Sequence, residues 1–81
     1  MHLDVTFFAL YRERAGLRHL TLELSDAGTV ADLTDAIRAR FPNLAPTDVR
    51  IVVAVNAEYA DPELVLKAGD EVCLIPPVSG G

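Results

Sequence analysis

Leu3-Asp4-Val5-Thr6-Phe7-Phe8-Ala9-Leu10 is the stretch on which the reading of this chain turns. Leu3, Val5, Phe7 and Ala9 recur at every second position, the period that places side chains on one face of a β-strand. The pattern predicts a strand whose first face enters a core, with Phe8 and Leu10 projecting from the other. Leu20, Leu22 and Leu24 alternate with His19, Thr21 and Glu23, predicting a second strand with one wetted face. Between them, Tyr11 to Leu17 is polar and contains Gly16, so it reads as a hairpin loop.

Outward from this hairpin the period changes. Ser25 to Gly28 is a turn, and Thr29 followed by Asp32 has the spacing of a capping box. Val30, Leu33 and Ile37 continue at helical spacing, and Arg38 and Arg40 suit the negative end of the helix dipole. Pro42 disfavours the helical state at Phe41, so the helix is expected over Val30 to Arg40. Ile51 to Val55 is a continuous apolar run of strand-forming residues, expected to be covered on both faces. Asp61-Pro62 and Ala68-Gly69-Asp70 mark turns around a short irregular segment, and Val72 to Ile75 is the last strand.

Strand, strand, helix, strand, a short strand and strand give a two-layer α+β domain, because a lone helix must bury its stripe on one sheet face. This is the layout of the ubiquitin-like β-grasp, with a mixed sheet of four to five strands packed on one main helix. Residues 1–75 are expected to form the domain and residues 76–81 a flexible, extended Gly-Gly tail.

Composition narrows the function. The 81 residues are 51% hydrophobic and 23% charged, which fits one small globular domain. Six arginines, one lysine and twelve carboxylates leave a net charge of −5. That sign argues against nucleic acid and against an anionic membrane surface. No apolar run approaches a membrane span and no signal peptide opens the chain, so a cytoplasmic location is expected.

No self-sufficient active site emerges from the residues. Cys73 lies inside a strand pattern and is expected to be a small apolar side chain. His2 and His19 lack partners at metal-ligand spacing, so no metal site is expected. Asp32/Asp35 and Asp70/Glu71 fit a solvated helix face and a turn better than an acid–base pair. Ser79 has no partnered histidine. The run Pro76-Pro77-Val78-Ser79-Gly80-Gly81 differs: prolines stiffen the path, and glycines carry no Cβ to collide with a narrow channel. From Ile75 the remaining residues can reach roughly 20 Å, enough to carry an α-carboxylate into another protein's active site.

The segments "VTFFALYRERAG", "TVADL", "IVVAVN", "LKAGDEV" and "PPVSGG", spanning Val5 to Gly81, resemble the small subunit of molybdopterin synthase, the MoaD family. The related thiamin sulfur carrier ThiS shares the Gly-Gly end, but the Pro-Pro-Val-Ser approach fits it less well. The resemblance implies a β-grasp sulfur carrier that is a non-catalytic, sulfur-donating subunit. It further implies that Gly81 is adenylated by an E1-like (MoeB-like) enzyme with ATP, then converted to a thiocarboxylate by a persulfide sulfur donor. Nucleotide binding would belong to that enzyme, and this chain alone would bind no cofactor. The tail, Pro76 to Gly80, would then enter the large (MoaE-like) subunit and give sulfur to cyclic pyranopterin monophosphate. Two rounds of carrier exchange would complete the dithiolene of molybdopterin, within a heterotetramer centred on the large subunit.

Strand parity adds a docking surface. If Val72 and Leu74 face the core, Cys73 and Ile75 face outward and join Phe8, Leu10, Val52 and Ala54 in an exposed apolar patch beside the tail. Three other readings stay open: ThiS-like delivery to thiazole synthase, a ubiquitin-like modifier whose Gly81 is conjugated to lysines, and an interaction domain with an inert tail.

Overall fold

The computed structural model describes residues 1–77. Five strands and two helices follow in the order β1 (His2–Phe7), α1 (Ala9–Ala15), β2 (His19–Glu23), α2 (Val30–Arg40), β3 (Val52–Val55), β4 (Glu58–Tyr59) and β5 (Glu71–Ile75). The strands form one mixed sheet in the order β2-β1-β5-β3-β4. β1 and β5 run parallel at its centre, and the other pairs are antiparallel. This is the ubiquitin-like β-grasp expected from the sequence.

The core lies between one sheet face and the helices. Leu3, Val5 and Phe7 of β1, Val72 and Leu74 of β5, Val53 and Val55 of β3 and Leu22 of β2 meet Val30, Leu33 and Ile37 of α2. Phe7 packs edge-on against Phe41, with ring centroids 5.5 Å apart and planes at 81°, a geometry that aligns the positive ring edge with the negative face.

α2 begins and ends as its residues dictate. The Asp32 N–H donates to Thr29 Oγ1 at 3.2 Å, and the Thr29 N–H donates to Asp32 Oδ2 at 2.9 Å, a reciprocal capping box. The Phe41 N–H still donates to the Ile37 carbonyl before Pro42 stops the helix. Replacing Thr29 by Ala is expected to cost about 1 kcal/mol, read as a lower denaturant midpoint at unchanged m-value. An unchanged midpoint would show that the cap is not needed.

Two expectations are corrected. Tyr11 to Leu17 is not an irregular loop: Ala9–Ala15 is a helix, closed by Gly16 at φ 77° with its N–H on the Arg12 carbonyl. Gly16 meets the left-handed requirement of that cap without Cβ strain. β1 accordingly stops at Phe7, and Ala9, at φ 49°, turns the chain out of the sheet. Leu10 therefore sits on α1, exposed, and not on a strand. Tyr11, 1% exposed, anchors the short helix in the core.

Arginines hold the long connection from α2 to β3. Arg38 donates to the carbonyls of Ala45, Pro46 and Val49, and Arg14 donates to the Leu44 carbonyl at 2.8 Å. At the other end, Asn56 (φ 51°) and Ala57 (φ 70°) make the tight β3–β4 turn, both in the left-handed region that a type I′ hairpin turn needs. Asp70 secures that turn by accepting from the Lys67 N–H at 2.8 Å and from Asn56 Nδ2 at 3.0 Å. The Lys67 amide first, and the Asn56 amide second, hold the Asp70 carboxyl below its usual range. A lowered folded-state pKa stabilises above the unfolded value and loses that contribution as pH falls through the folded one. Asp70→Asn is therefore expected to lower the melting temperature at neutral pH, with the gap to wild type closing in acid. A gap independent of pH would assign Asp70 no electrostatic role.

Candidate functional site

Beta pairing decides what surrounds the root of the tail. β5 ends at Ile75 between β1 and β3, so the chain leaves from the middle of the sheet and not from a frayed edge. Pro76 is half-buried and Pro77 exposed. Val78, Ser79, Gly80 and Gly81 lie outside the described residues, and with them the expected reactive end and the expected flexibility of the tail.

The helix-free face of the sheet can be read from register. Thr6 lies opposite His19 and Cys73, Cys73 opposite Ala54, and Ala54 opposite Tyr59, one row across five strands. The next row toward the tail pairs Ile75 with Val52. Phe8 prolongs the β1 line, donating its N–H to the Leu74 carbonyl at 3.2 Å. The row is polar on its β2 side and apolar on its β3–β4 side, because Thr6 and His19 give way to Cys73, Ala54 and Tyr59.

Of the residues expected in a docking patch, Phe8 is 44% and Leu10 42% exposed, and Val52, Cys73 and Ile75 are half-buried. Ala54 corrects the expectation: it is only 7% exposed. Its single methyl is too short to clear the larger Cys73 and Tyr59 on either side, so it is the floor of the patch and not a contact. Tyr59, 79% exposed in the same row, was missed. Its strand has two residues and offers no period to read; only its place just after the Asn56-Ala57 turn pointed to it.

Little else on the domain can do chemistry. A groove of about 390 Å³ lies between α2 and the β3–β4 edge, lined by Val30, Thr34, Arg38, Val52 and Tyr59 among others. Its Arg38 is engaged by loop carbonyls. Among the described residues no group of three or more His, Cys, Asp or Glu is placed to hold a metal, and no helix is long and apolar enough to cross a membrane. The arrangement can present a terminus beside an apolar face; activation and catalytic groups would have to come from elsewhere.

Comparisons with known proteins accord with that geometry. The ThiS family matches residues 5–81. A protein of Chlamydomonas reinhardtii named molybdopterin synthase sulfur carrier subunit is 43% identical over 83 residues, covering 100% of both chains. The crystal structure of small archaeal modifier protein 1 of Haloferax volcanii superimposes with a TM-score of 0.80 at 31% identity, covering 95% of this chain and 98% of that one. A chain from the complex of subunits 1 and 2 of the molybdopterin-converting factor of Helicobacter pylori gives a TM-score of 0.70 at 27% identity, covering 100% of both.

Proposed function

This chain belongs to the ThiS family, and from that premise we propose that it is the sulfur carrier and small subunit of a molybdopterin synthase. The observation that carries the reading is the full-length similarity, at 43% identity, to a protein of that name. The tail root in the central strand, flanked by an apolar face, supports it.

In this reading Gly81 is the reacting residue. An α-carboxyl titrates near pH 3.3–3.7, so at neutral pH its oxygen is ionised and can attack the α-phosphorus of ATP. The acyl-adenylate forms and pyrophosphate leaves. A carboxylate is a poor acyl donor; the adenylate is a good one, with AMP as its leaving group. The terminal sulfur of a persulfide then attacks the acyl carbon and AMP departs. A thiol cleaves the resulting acyl disulfide, leaving the thiocarboxylate on Gly81 and a disulfide on the donor side. Gly81 and Gly80 add no side chain beside the reacting carbonyl, so positioning and charge stabilisation belong to the partner.

ATP and the persulfide are thus substrates of an E1-like, MoeB-like enzyme and not ligands of this chain. A MoaE-like large subunit receives the tail and holds cyclic pyranopterin monophosphate, in a heterotetramer with this chain. Phe8, Val52, Tyr59, Cys73 and Ile75 form the docking surface, with Leu10 at its margin. These reactions require ATP and a reducing compartment, consistent with the cytoplasm.

Reconstitution tests the proposal. Incubation with the activating enzyme, ATP and a sulfur donor should convert the chain to a species heavier by the oxygen-to-sulfur exchange, and adding the large subunit with its pterin substrate should consume that species. Loading without consumption by the large subunit, but with consumption by thiazole synthase, would transfer the function to thiamin synthesis. The likeness to an archaeal modifier protein favours one further reading, conjugation of Gly81 to lysines. Covalent adducts on other proteins' lysines, in place of sulfur transfer, would establish it.

A further inference from the structure

The charges of this chain are sorted by position along the sheet axis. The six arginines gather at the end where β5 finishes. Arg12 and Arg14 ride on α1, which follows β1 at that end. The Arg18 carbonyl accepts from the Phe7 N–H. Arg38 and Arg40 lie in the last turn of α2. Arg50 stands two residues before Val52, the partner of Ile75. The carboxylates at this end are Glu13 on α1, Asp48 in the loop held by Arg38, and Asp61, which lines one groove with Arg38 and Arg50, so its net charge is +3.

The opposite end is acidic. Glu23 and Asp26 close β2, Asp32 caps α2, Glu58 begins β4, Glu63 and Asp70 lie between β4 and β5, and Glu71 begins β5. Lys67 is the only lysine or arginine among them. With Asp4 and Asp35 this part of the chain carries −8.

The two populations do not neutralise each other. Among the described residues the one ion pair within 4.0 Å joins the Met1 amine to Asp26, at the acidic end. Arg14 and Arg38 donate to backbone carbonyls, which leaves their charge intact. Arg12, Arg18, Arg40 and Arg50 are exposed and make no side-chain hydrogen bond among the described residues. An acidic protein with mixed surface charges would show pairs between arginine and carboxylate. This one instead separates its charges, with the positive pole at the end of β5, where Pro76 leaves the sheet.

We infer that this arginine collar is an electrostatic docking surface: it matches an acidic rim around the tail-receiving channel of the large subunit and turns the carrier tail-first on approach. The inference rests on the carrier reading above. A site built for an anionic pterin phosphate is itself basic, so the acidic groups that the collar would meet lie outside it, on the rim. A positive pole facing an acidic rim attracts it at the distance where encounter is decided, although the chain as a whole carries −5. Complementary charge of this kind acts chiefly on association rate, by about 10- to 1,000-fold, and fades with salt.

The test measures association with the large subunit by stopped flow, from roughly 0.01 M to 1 M salt, where the Debye length falls from about 30 Å to about 3 Å. Wild type should slow steeply as salt rises. Arg12→Glu/Arg18→Glu/Arg50→Glu, which takes the collar from +3 to −3, should associate at least about tenfold more slowly at low salt and converge on wild type at high salt. Arg12→Glu and Lys67→Glu change net charge equally at opposite poles; the first should slow association and the second leave it within about twofold. Circular dichroism checks that each variant is folded, and this single-residue pair decides the matter if the triple variant is not. A salt-independent wild-type rate, or equal slowing by Arg12→Glu and Lys67→Glu, overturns the collar. No binding of wild type to the large subunit at any salt overturns the carrier reading instead, and the collar's role with it.

Discussion

Deleting Gly81 should reduce thiocarboxylate formation to background while leaving the melting temperature unchanged. Among the described residues the sheet pairings end at Ile75 and the buried core at Leu74, so removing the last residue is expected to leave the fold intact. Its effect on chemistry is total for a geometric reason. Effective molarities of about 10⁵ M or more depend on reacting atoms held within about 3–3.5 Å, and one residue removed shifts the carboxylate by about 3.3 Å. The new terminus is also Gly80, so a carboxylate is still present and only its reach has changed. Appending one residue after Gly81 tests the same demand from the other side, because the reacting carbonyl becomes an internal amide with no ionised oxygen. Intact mass after incubation with the activating enzyme, ATP and sulfur donor reads both variants. Sulfur loading of either at the wild-type rate would remove Gly81 from the mechanism.

Elimination singled out the tail, since no other residue formed a credible reactive group; the expectation that Gly81 is activated came only from the family resemblance. Legibility elsewhere followed the strength of the local signal. α2 was readable to the residue, since Thr29 and Asp32 cap it, Pro42 ends it and three buried positions share a face. α1 was not. Seven residues carry one buried side chain, Tyr11, and the preceding Phe8 offers no capping hydrogen bond. The readable clues were composition and punctuation, good helix formers from Ala9 to Ala15 followed by Gly16. The core half of the strand parity held for Leu3, Val5 and Phe7 and for Val72 and Leu74. The outer half needed the register, because burial of Ala54 and exposure of Tyr59 depend on which strands are neighbours.

Phe7 and Phe8 turn that lesson into the second large effect. They are adjacent, identical in type and opposite in fate. Phe7 is 1% exposed, packed edge-on against Phe41 and held in the sheet opposite Leu74. Phe7→Ala is expected to cost about 3–5 kcal/mol through lost burial and the cavity left behind. A domain of this size has about 4–12 kcal/mol in all, so the variant should melt far below wild type and be partly unfolded at 37 °C. Phe8 is 44% exposed where β1 gives way to α1, beside Ile75 and the tail root. Phe8→Asp should move the denaturant midpoint by no more than about 0.5 kcal/mol equivalent. Its cost falls on docking: a carboxylate in place of an aromatic anchor should weaken the large-subunit complex by about 2 kcal/mol or more, roughly thirtyfold in Kd. Equal destabilisation by both substitutions would mean that Phe8 serves the fold. An unchanged Kd for a folded Phe8→Asp variant would move the interface away from this face of the sheet, toward the helix side where Phe7 is buried.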